Sequence, residues 1–322
     1  MPAKRNQYGM STTDEEFIAA WKELMSATLV AQKFGLAIQA VHKRRRAIER
    51  RYGINLHAAD PRGERYNSVS EKVRARLTIE NGCVLVGSDC HYWPGHITTA
   101  QRAFIKLVQE FKPVAVILNG DVVDCATISR FPRIGWQKRP SVKEELEEAQ
   151  NRLEEIEKAS LNSKLFWTFG NHEGRFELTL AKLVPEYEGV EGFTLKYHFP
   201  RWTPCMSVMI NDCCIVKHRW HMGIHAVFNN VVKGGISIVT GHLHSLKVTP
   251  WTDYRGSRYG VDSGTMADTW GLPFESYLED SPRNWRSGFA VLNFVESKLM
   301  PPELVHVIDE NKIWFRGNVI EV

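Results

Sequence analysis

The chain has 322 residues, of which 43% are hydrophobic and 24% are charged, a composition typical of a globular protein with a large apolar core. No run of 18 apolar residues is present, and residues 1–9 contain no apolar stretch, so we expect neither a membrane span nor a secretory signal. The six cysteines form no CxxC pair, which favours reduced thiols and a cytoplasmic location.

Positive charge is concentrated in an N-terminal segment that is predicted to be helical. Residues 1–75 carry 14 Lys or Arg against 8 Asp or Glu, while the rest of the chain carries 27 against 29. Thr13 and Glu16 have the spacing of a capping box at the start of a first helix. Gly35 separates a short second helix from a third over residues 37–50, as in a helix-turn-helix. The pattern predicts a small all-α domain over residues 1–54.

The third predicted helix contains the basic run HKRRRAIERR. With the turn before it, this block resembles helix-turn-helix DNA-binding modules, in which the second helix of the pair contacts nucleic acid. The alternative is a solvated helical face without a partner. The candidate nucleic-acid-binding residues are Lys43, Arg44, Arg45, Arg46 and Arg50.

A polar linker over residues 55–75 is predicted to lead into a second domain over residues 76–322. Apolar strands and helices first alternate, at 83–87, 98–111, 114–118, 141–159 and 165–169, which indicates α/β layers. Strand patterns then follow one another closely, from residue 206 to residue 315, and indicate a second, mostly antiparallel sheet. The predicted fold is therefore α/β, a four-layer αββα sandwich.

Polar residues follow five of the predicted strands at the point where each strand ends. In open α/β sheets, ligands bind at the carboxyl ends of the strands. One Asp after a strand is usually a turn former, and one buried His is usually a hydrogen-bonded core residue, but five such positions indicate a shared site. The residues are Asp89 and His91, Asp121 and Asp124, Asn171 and His172, His218, and His242 and His244.

Carboxylate, amide and imidazole groups are suitable ligands for divalent metal ions. Buried together without a cation, the carboxylates would repel each other, and a metal ion removes that cost. The residues themselves therefore predict a metal site.

The order and spacing of these residues resemble the motifs of the calcineurin-like metallophosphoesterases. The motifs are Asp89-x-His91, Gly120-Asp121-x-x-Asp124, Gly170-Asn171-His172-Glu173, His218 and Gly241-His242-x-His244. The resemblance implies a metallophosphoesterase sandwich with two metal ions that share Asp121. It implies that Asp89, His91 and His244 bind the first ion. It implies that Asn171, His218 and His242 bind the second, with His221 as the alternative to His218.

The same resemblance implies phosphoester hydrolysis by in-line attack of a metal-bridging hydroxide. His172 is then a general acid or a phosphate-binding cation, and Asp124 orients its imidazole. Glu173 is either an acid at a helix start or a partner behind the ligands. Mn²⁺ is the first expectation for the metal, with Fe, Zn²⁺ and Ni²⁺ as alternatives.

The substrate is indicated by what surrounds these motifs. Protein Ser/Thr phosphatases of the family carry an Arg directly after the second motif, where this chain has Cys125. Arg130, Arg133 or Arg175 could substitute for it in space. Together with the N-terminal module, this favours a phosphodiesterase or nuclease acting on nucleic acid, similar to phosphoesterases encoded by tailed bacteriophages.

Two other functions remain open, namely a phosphomonoesterase and a DNA-binding regulator with a non-catalytic metal fold. Two further segments bear on this choice. The insert 129–141 holds basic and aromatic residues and suits single-stranded nucleic acid or a cap over the site. The aromatic-rich segment 266–285 suits a substrate cleft or an oligomer contact.

Overall fold

The computed structural model of the chain describes residues 12–24, 26–54, 56, 73–129, 138–269, 274 and 283–322. The chain divides into two compact units, Met1–Val69 and Ser70–Val322. Of the predicted linker, residues 55 and 57–72 lie outside the described part. Its last residues, Arg74 and Ala75, belong instead to the first strand of the second unit, because they pair with Ser207 and Val208 of a neighbouring strand.

Three helices make up the described part of the N-terminal unit, namely α1 (Asp14–Leu24), α2 (Ala27–Phe34) and α3 (Ile38–Tyr52). The predicted capping box is confirmed. The backbone N–H of Thr13 donates to the Glu16 carboxylate at 2.8 Å, and that of Glu16 donates to the Thr13 hydroxyl at 3.2 Å. The helices enclose a core of their own, which includes Phe17, Trp21, Val30, Val41 and Ile48.

The second unit contains strands that alternate with helices in its first half. The strands are β1 (Arg74–Leu77), β2 (Gly82–Gly87), β3 (Ala115–Asn119), β4 (Lys164–Thr168), β5 (Thr203–Cys205), β6 (Ser207–Ile210), β7 (Cys214–Val216), β8 (Ser237–Thr240), β9 (Lys247–Asp253), β10 (Gly256–Asp262), β11 (Gly288–Val295), β12 (Lys298–Leu299), β13 (Glu303–Asp309), β14 (Lys312–Phe315) and β15 (Asn318–Glu321). The helices are α4 (Thr99–Phe111), α5 (Val142–Ala159), α6 (Glu173–Leu183), α7 (Leu195–His198) and α8 (Ala226–Gly234), with 3₁₀ turns at Ala126–Ile128 and Pro185–Tyr187. Within the described residues, no helix is long and apolar enough to cross a bilayer.

The strands form two sheets. The first has the order β15-β14-β13-β11-β2-β3-β4-β5, with β12 beside β11, and the second has the order β1-β6-β7-β8-β10-β9. Strands β2 to β5 run parallel to one another, and β11 joins them antiparallel to β2. The carboxyl ends of β2, β3 and β4 therefore lie along one edge.

The second sheet differs from the sequence prediction in two respects. It is mixed, because β1 with β6, β7 with β8, and β8 with β10 are parallel pairs. The C-terminal strands β11 and β13 to β15 extend the first sheet and do not belong to the second. A parallel pair needs a crossover connection, and α8 lies in the connection between β7 and β8.

Helices cover the outer faces of the two sheets. One face of the first sheet forms a core with α4 and α5, which includes Leu85, Phe104, Leu118, Leu153 and Trp167. Its other face packs against the second sheet through residues that include Val84, Ile117, Val208, Val216 and Val239. Helix α8 packs on the second sheet, where Gly260 approaches the backbone of Val227. The predicted four-layer αββα architecture is confirmed.

Candidate functional site

The residues predicted to bind metal follow the carboxyl ends of β2, β3, β4, β7 and β8. The loops stay hydrogen-bonded beyond the strands. The N–H of Asp89 donates to the carbonyl of Gly120 at 2.9 Å, and the N–H of His91 donates to the carbonyl of Asp121 at 3.0 Å. The two sheets also meet here, because the N–H of His242 donates to the Asp89 carboxylate at 2.9 Å. The loops that hold the candidate ligands are thus joined to one another by hydrogen bonds.

The backbone of the site is held in an unfavourable conformation. Asp89, His91, Asp121, His242 and His244 have φ angles between +43° and +70°. A non-glycine residue in this region costs on the order of 1–3 kcal/mol and persists only where its surroundings hold it. This concentration at five candidate ligands indicates that the loops are bent to aim their side chains.

Two glycines of the motifs permit a close approach between loops. A Cβ atom on Gly170 would overlap the carboxylate of Asp121, and one on Gly241 would overlap the side chains of Ser88 and Asp89. Each position therefore requires glycine for space rather than for its φ angle.

Asp89, His91 and His244 form the first group of candidate ligands. All three are buried, and their ligand atoms lie within 4.8 Å of one another. The Nε2 atom of His244 lies 3.0 Å from Oδ1 of Asp89. Within the described part of the chain, the buried Nε2 of His91 and Nδ1 of His244 have no hydrogen-bond partner.

Asp121, His218 and His242 form the second group, within the same 4.8 Å limit. The Nδ1 atom of His218 donates to the carbonyl of Asn119 at 2.7 Å, which leaves Nε2 as the ligand atom. That Nε2 atom lies 3.2 Å from Oδ2 of Asp121 and has no hydrogen-bond partner among the described residues.

Asn171 lies beside the second group. It stands between Gly170, which approaches Asp121, and His172, whose N–H donates to Asp121 Oδ1 at 2.9 Å. Its side-chain oxygen accepts from Arg219 at 3.4 Å, and its role as a metal ligand stays a prediction.

His221, the alternative to His218, belongs to another part of the structure. Its Nδ1 atom lies 2.9 Å from Oδ1 of Asn230, on the helix that covers the second sheet. His221 therefore joins none of the three clusters of possible metal ligands among the described residues, the third of which is His91, Asp124 and His172.

The two buried carboxylates remain ionised. Burial raises the pKa of Asp89, but the imidazoles of His244 and His218 lower it below its ordinary value. Burial likewise raises the pKa of Asp121, but His218 and His172 bring it well below its ordinary value. Burial lowers the pKa of His218, yet Asp121 and Asp89 raise it to about 10. A proton on His218 thus compensates the carboxylates in the absence of another cation.

These observations fit a pair of divalent ions. Among the described residues, three buried imidazole nitrogens have no hydrogen-bond partner, and two ionised carboxylates lie beside them. Metal ions would replace the proton on His218 as the source of positive charge. The mixture of imidazole nitrogen and carboxylate oxygen suits several first-row divalent metals. The ligand set therefore supports a dinuclear centre without selecting its metal.

His172 and Asp124 are in direct contact beside the first group. Nδ1 of His172 lies 2.6 Å from Oδ1 of Asp124, and the same oxygen lies 3.2 Å from Nδ1 of His91. Burial lowers the pKa of His172, but Asp121 and Asp124 raise it above its ordinary value. The imidazole is thus oriented by a carboxylate and kept able to hold a proton.

Arg175 brings a guanidinium group to the same place. Its Nη1 atom donates to the carbonyl of Asp124 at 2.8 Å, and its Nη2 atom donates to Nε2 of His172 at 3.1 Å. Cys125, which stands where the resembled protein phosphatases carry Arg, is buried. An arginine from α6 therefore reaches the histidine from a different position in the chain.

Two buried glutamates hold the loops in place. Glu173 accepts from the N–H groups of Asp121 at 2.9 Å, Val122 at 2.6 Å and Gly170 at 2.8 Å, so it is a partner behind the ligands. Glu145, in the first turn of α5, accepts from the N–H groups of Cys125 and Ala126. The sequence reading missed Glu145, because acids are common in the first turn of helices.

The basic residues of α3 do not all face solvent. Arg44 is 1% exposed; it hydrogen-bonds to the Thr12 hydroxyl at 2.6 Å and lies 3.2 Å from the Asp14 carboxylate. Its prediction as a phosphate contact is corrected, since the guanidinium is committed to the core of its own unit.

The other four predicted residues remain nearer the surface. Arg45 is half-buried, with its guanidinium 5.2 Å from the centre of the Trp21 ring. Lys43, Arg46 and Arg50 are exposed, and their spacing of three and four residues places them on one side of the helix.

Parts of two other predicted features lie outside the described residues. These are 130–137 of the basic and aromatic insert, and 270–273 and 275–282 of the aromatic-rich segment. Phe274 packs on the first group of candidate ligands, with its ring centre 5.0 Å from that of His91 and 5.5 Å from that of His244.

Comparison with solved structures gives distant similarities. Vps29 of Entamoeba histolytica, solved with zinc, is 12% identical, with a TM-score of 0.38, over 74% of this chain and 98% of that chain. A Saccharomyces cerevisiae serine/threonine phosphatase similar to human PP5 is 13% identical, with a TM-score of 0.35, over 73% of this chain and 84% of that chain. The Escherichia coli phosphoesterase YfcE is 14% identical, with a TM-score of 0.31, over 68% of this chain and 97% of that chain.

Comparison of the amino-acid sequence with known proteins and with protein families identifies the family. The Gene 54 protein of Mycobacterium phage L5 is 22% identical over 246 residues, which are 66% of this chain and 91% of that protein. The model of the calcineurin-like phosphoesterase family matches residues 84–270, which contain every candidate ligand and more than half of the chain. With the metal-ligand geometry at the strand ends, this match shows that the chain belongs to the calcineurin-like phosphoesterase family.

Proposed function

We propose that this metal-dependent phosphoester hydrolase is a phosphodiesterase or nuclease that acts on nucleic acid. Asp89, His91 and His244 would hold one divalent ion, and Asp121, His218, His242 and Asn171 the other, with Asp121 shared. When bound, such ions supply Lewis acidity and activate water near neutral pH. Mn²⁺ is the first candidate.

The chain's own residues supply the proton chemistry. His172, held through Nδ1 by Asp124, would present Nε2 to the leaving oxygen of the substrate and donate a proton there. Arg175 now donates to that same Nε2 atom. A bound phosphate would take over the guanidinium, and His172 would then be free to act as the acid.

The observation that carries the choice of nucleic acid is the exposed basic side of α3. Lys43, Arg46 and Arg50 lie there, in a three-helix unit whose turn at Gly35 resembles a helix-turn-helix. Phosphate contacts from such a helix would raise the local concentration of phosphodiester at the tethered enzyme. The relative from a mycobacteriophage supports action inside a bacterial host.

The test is turnover by the full chain with Mn²⁺ on a set of substrates. The set holds p-nitrophenyl phosphate, bis-p-nitrophenyl phosphate, labelled single- and double-stranded DNA and a phosphopeptide. Cleavage of DNA with preference for the diester supports the proposal. Preference for the monoester and phosphopeptide, without cleavage of DNA, would overturn it.

The N-terminal unit is tested by a triple variant, Lys43→Gln, Arg46→Gln and Arg50→Gln. Its DNA affinity should fall, and its dependence on salt should weaken by about 0.9 in log–log slope for each lost phosphate contact. An unchanged slope would show that this face of α3 does not bind DNA.

A phosphomonoesterase is the second candidate, and Arg175 is the observation that favours it. A guanidinium at the catalytic histidine can bind the two charges of a terminal phosphate. In that case Arg175→Gln should reduce kcat/KM for p-nitrophenyl phosphate by a larger factor than for its diester.

A further inference from the structure

Arg219 is an exposed arginine at the edge of the second group of candidate ligands. It follows His218 directly, in the loop after β7. Its Nη1 atom donates to the side-chain oxygen of Asn171 at 3.4 Å. Both neighbours are candidate ligands of the second ion, so the guanidinium borders the reaction centre.

The partners of Arg219 set it apart from several other arginines described in the second unit. Six of these form an ion pair with a carboxylate, namely Arg76, Arg152, Arg175, Arg201, Arg258 and Arg316. Among the described residues, no carboxylate lies within ion-pair distance of Arg219. An exposed guanidinium without an acid beside it is well suited to bind phosphate oxygens in a bidentate manner.

In the proposed function, the reacting phosphate already has other partners. His172 serves its leaving oxygen and Arg175 contacts His172 from α6, whereas Arg219 reaches Asn171 from a different loop. A further cation at this edge would be stabilised most by an anionic group other than the reacting phosphate. A polynucleotide supplies one, because it carries a phosphate at every nucleotide.

We propose that Arg219 binds the phosphate next to the scissile one in a polynucleotide. It thereby makes a nucleic acid strand a better substrate than an isolated phosphodiester. This inference rests on the proposed function, since it names the part of the substrate that lies beyond the reacting group.

The experiment compares Arg219→Gln with the wild-type full chain on two substrates with Mn²⁺. Bis-p-nitrophenyl phosphate has one phosphate, and a labelled single-stranded oligonucleotide has many. Loss of one phosphate contact should lower kcat/KM for the oligonucleotide about tenfold, mainly through KM, and make its salt dependence shallower by about 0.7 in log–log slope. The loss on the one-phosphate substrate should be at least threefold smaller. Arg219→Lys keeps the charge and should recover part of the loss.

Arg255→Gln is the matched control. Arg255 is also exposed, in the turn between β9 and β10. This turn precedes β10, which runs parallel to β8, and so lies at the end of the sheet away from the site. The control variant should behave as the wild type on both substrates.

Three outcomes would overturn the inference. Equal losses on both substrates would place Arg219 on the reacting phosphate, and no loss on either would remove it from substrate binding. Loss of a metal ion from Arg219→Gln, measured by elemental analysis, would make Arg219 a support for Asn171. If the wild type itself cleaves no nucleic acid, the proposed function fails; if it does and Arg219→Gln equals it, only this inference fails.

Discussion

The carboxylate of Asp124 lies 2.6 Å from the imidazole of His172 through Oδ1 and Nδ1. The same oxygen is 3.2 Å from Nδ1 of His91. One carboxylate therefore orients both the proposed acid and a candidate ligand of the first ion. The proton-transfer group and the metal site share a single support, and their roles can be separated by substitution.

His172→Ala should retain both metal ions and lose most turnover. The imidazole contributes no ligand atom in the proposed scheme, and removal of a general acid typically costs about 10²- to 10⁴-fold in rate. Elemental analysis and kcat on a labelled oligonucleotide, whose alkoxide leaving group needs a proton, measure the two effects. His221→Ala is the control, because His221 bonds to Asn230 instead of the site. Loss of metal from His172→Ala would mean that His172 is a ligand.

Asp124→Asn should weaken the binding of the first metal ion and also lower the rate of turnover. The neutral amide oxygen is a weaker acceptor for the two imidazole N–H groups than the charged carboxylate oxygen, and a weakened partner behind a metal-binding histidine typically reduces metal affinity about 10- to 100-fold. Calorimetric titration of the metal-free protein with Mn²⁺ should show one weakened ion and one that is less affected. Equal affinities to the wild type for both ions would contradict this coupling.

Glu173→Gln should destabilise the second unit by about 2–3 kcal/mol, because its amide group would face a backbone N–H without an acceptor. Glu173 accepts from three N–H groups in two ligand-bearing loops. Urea unfolding measures the change. Glu147→Gln, at an exposed glutamate of α5, should stay within about 0.5 kcal/mol of the wild type. Similar values for the two variants would contradict an anchoring role for Glu173.

Much of the site could be predicted because its metal-binding residue types directly follow the predicted strands. The strand predicted at 165–169 is observed as Lys164–Thr168, and polar residues after such apolar runs identified both groups of ligands. The partners of each strand could not be predicted in this way. An apolar run gives no direction of pairing, so β11 and the strands after it were expected in the wrong sheet.

Most of the features that the sequence did not predict depend on contacts between residues far apart in the chain. Glu145 meets Cys125 and Ala126 only after the chain has folded, and nothing in the local sequence distinguishes it from other helix-start acids. The burial of Arg44, in contrast, has a local signal. It lies three residues after Val41 and four before Ile48, on the apolar face of α3.

Arg44→Met should therefore destabilise the N-terminal unit instead of acting mainly on phosphate contacts. It removes the guanidinium that contacts the Thr12 hydroxyl and the partly buried Asp14 carboxylate, which should cost about 1–2 kcal/mol in the free energy of unfolding. Asp14 keeps its ion pair with Arg51 at 2.8 Å. Thermal unfolding followed by circular dichroism measures this loss. Arg46→Gln, at an exposed position on the same helix, is the control and should lower DNA affinity with little loss of stability. Reduced DNA binding by a fully stable Arg44→Met would contradict this role.

Glu145 should make the stability of the second unit depend on pH. Burial raises the pKa of this carboxyl to about 7, against the hydrogen bond from Ala126, which lowers it. In the unfolded chain the pKa is about 4.3, so the neutral form stabilises the fold. That contribution is complete below about pH 4 and is lost as the pH rises through 7. The whole effect on the free energy of unfolding is about 3–4 kcal/mol, because a difference of one in pKa between the folded and the unfolded chain corresponds to about 1.4 kcal/mol.

Glu145→Gln removes the titrating group and so isolates this effect from other acids. Between pH 5 and pH 8, the free energy of unfolding of the wild type should fall relative to that of the variant by most of this amount. Urea unfolding at a series of pH values gives the difference directly. Glu147→Gln, whose carboxylate is exposed, should differ from the wild type by a constant amount across the series. A constant difference for Glu145→Gln as well would mean that Glu145 is ionised in the folded chain throughout, and that the two backbone N–H groups it accepts from outweigh its burial.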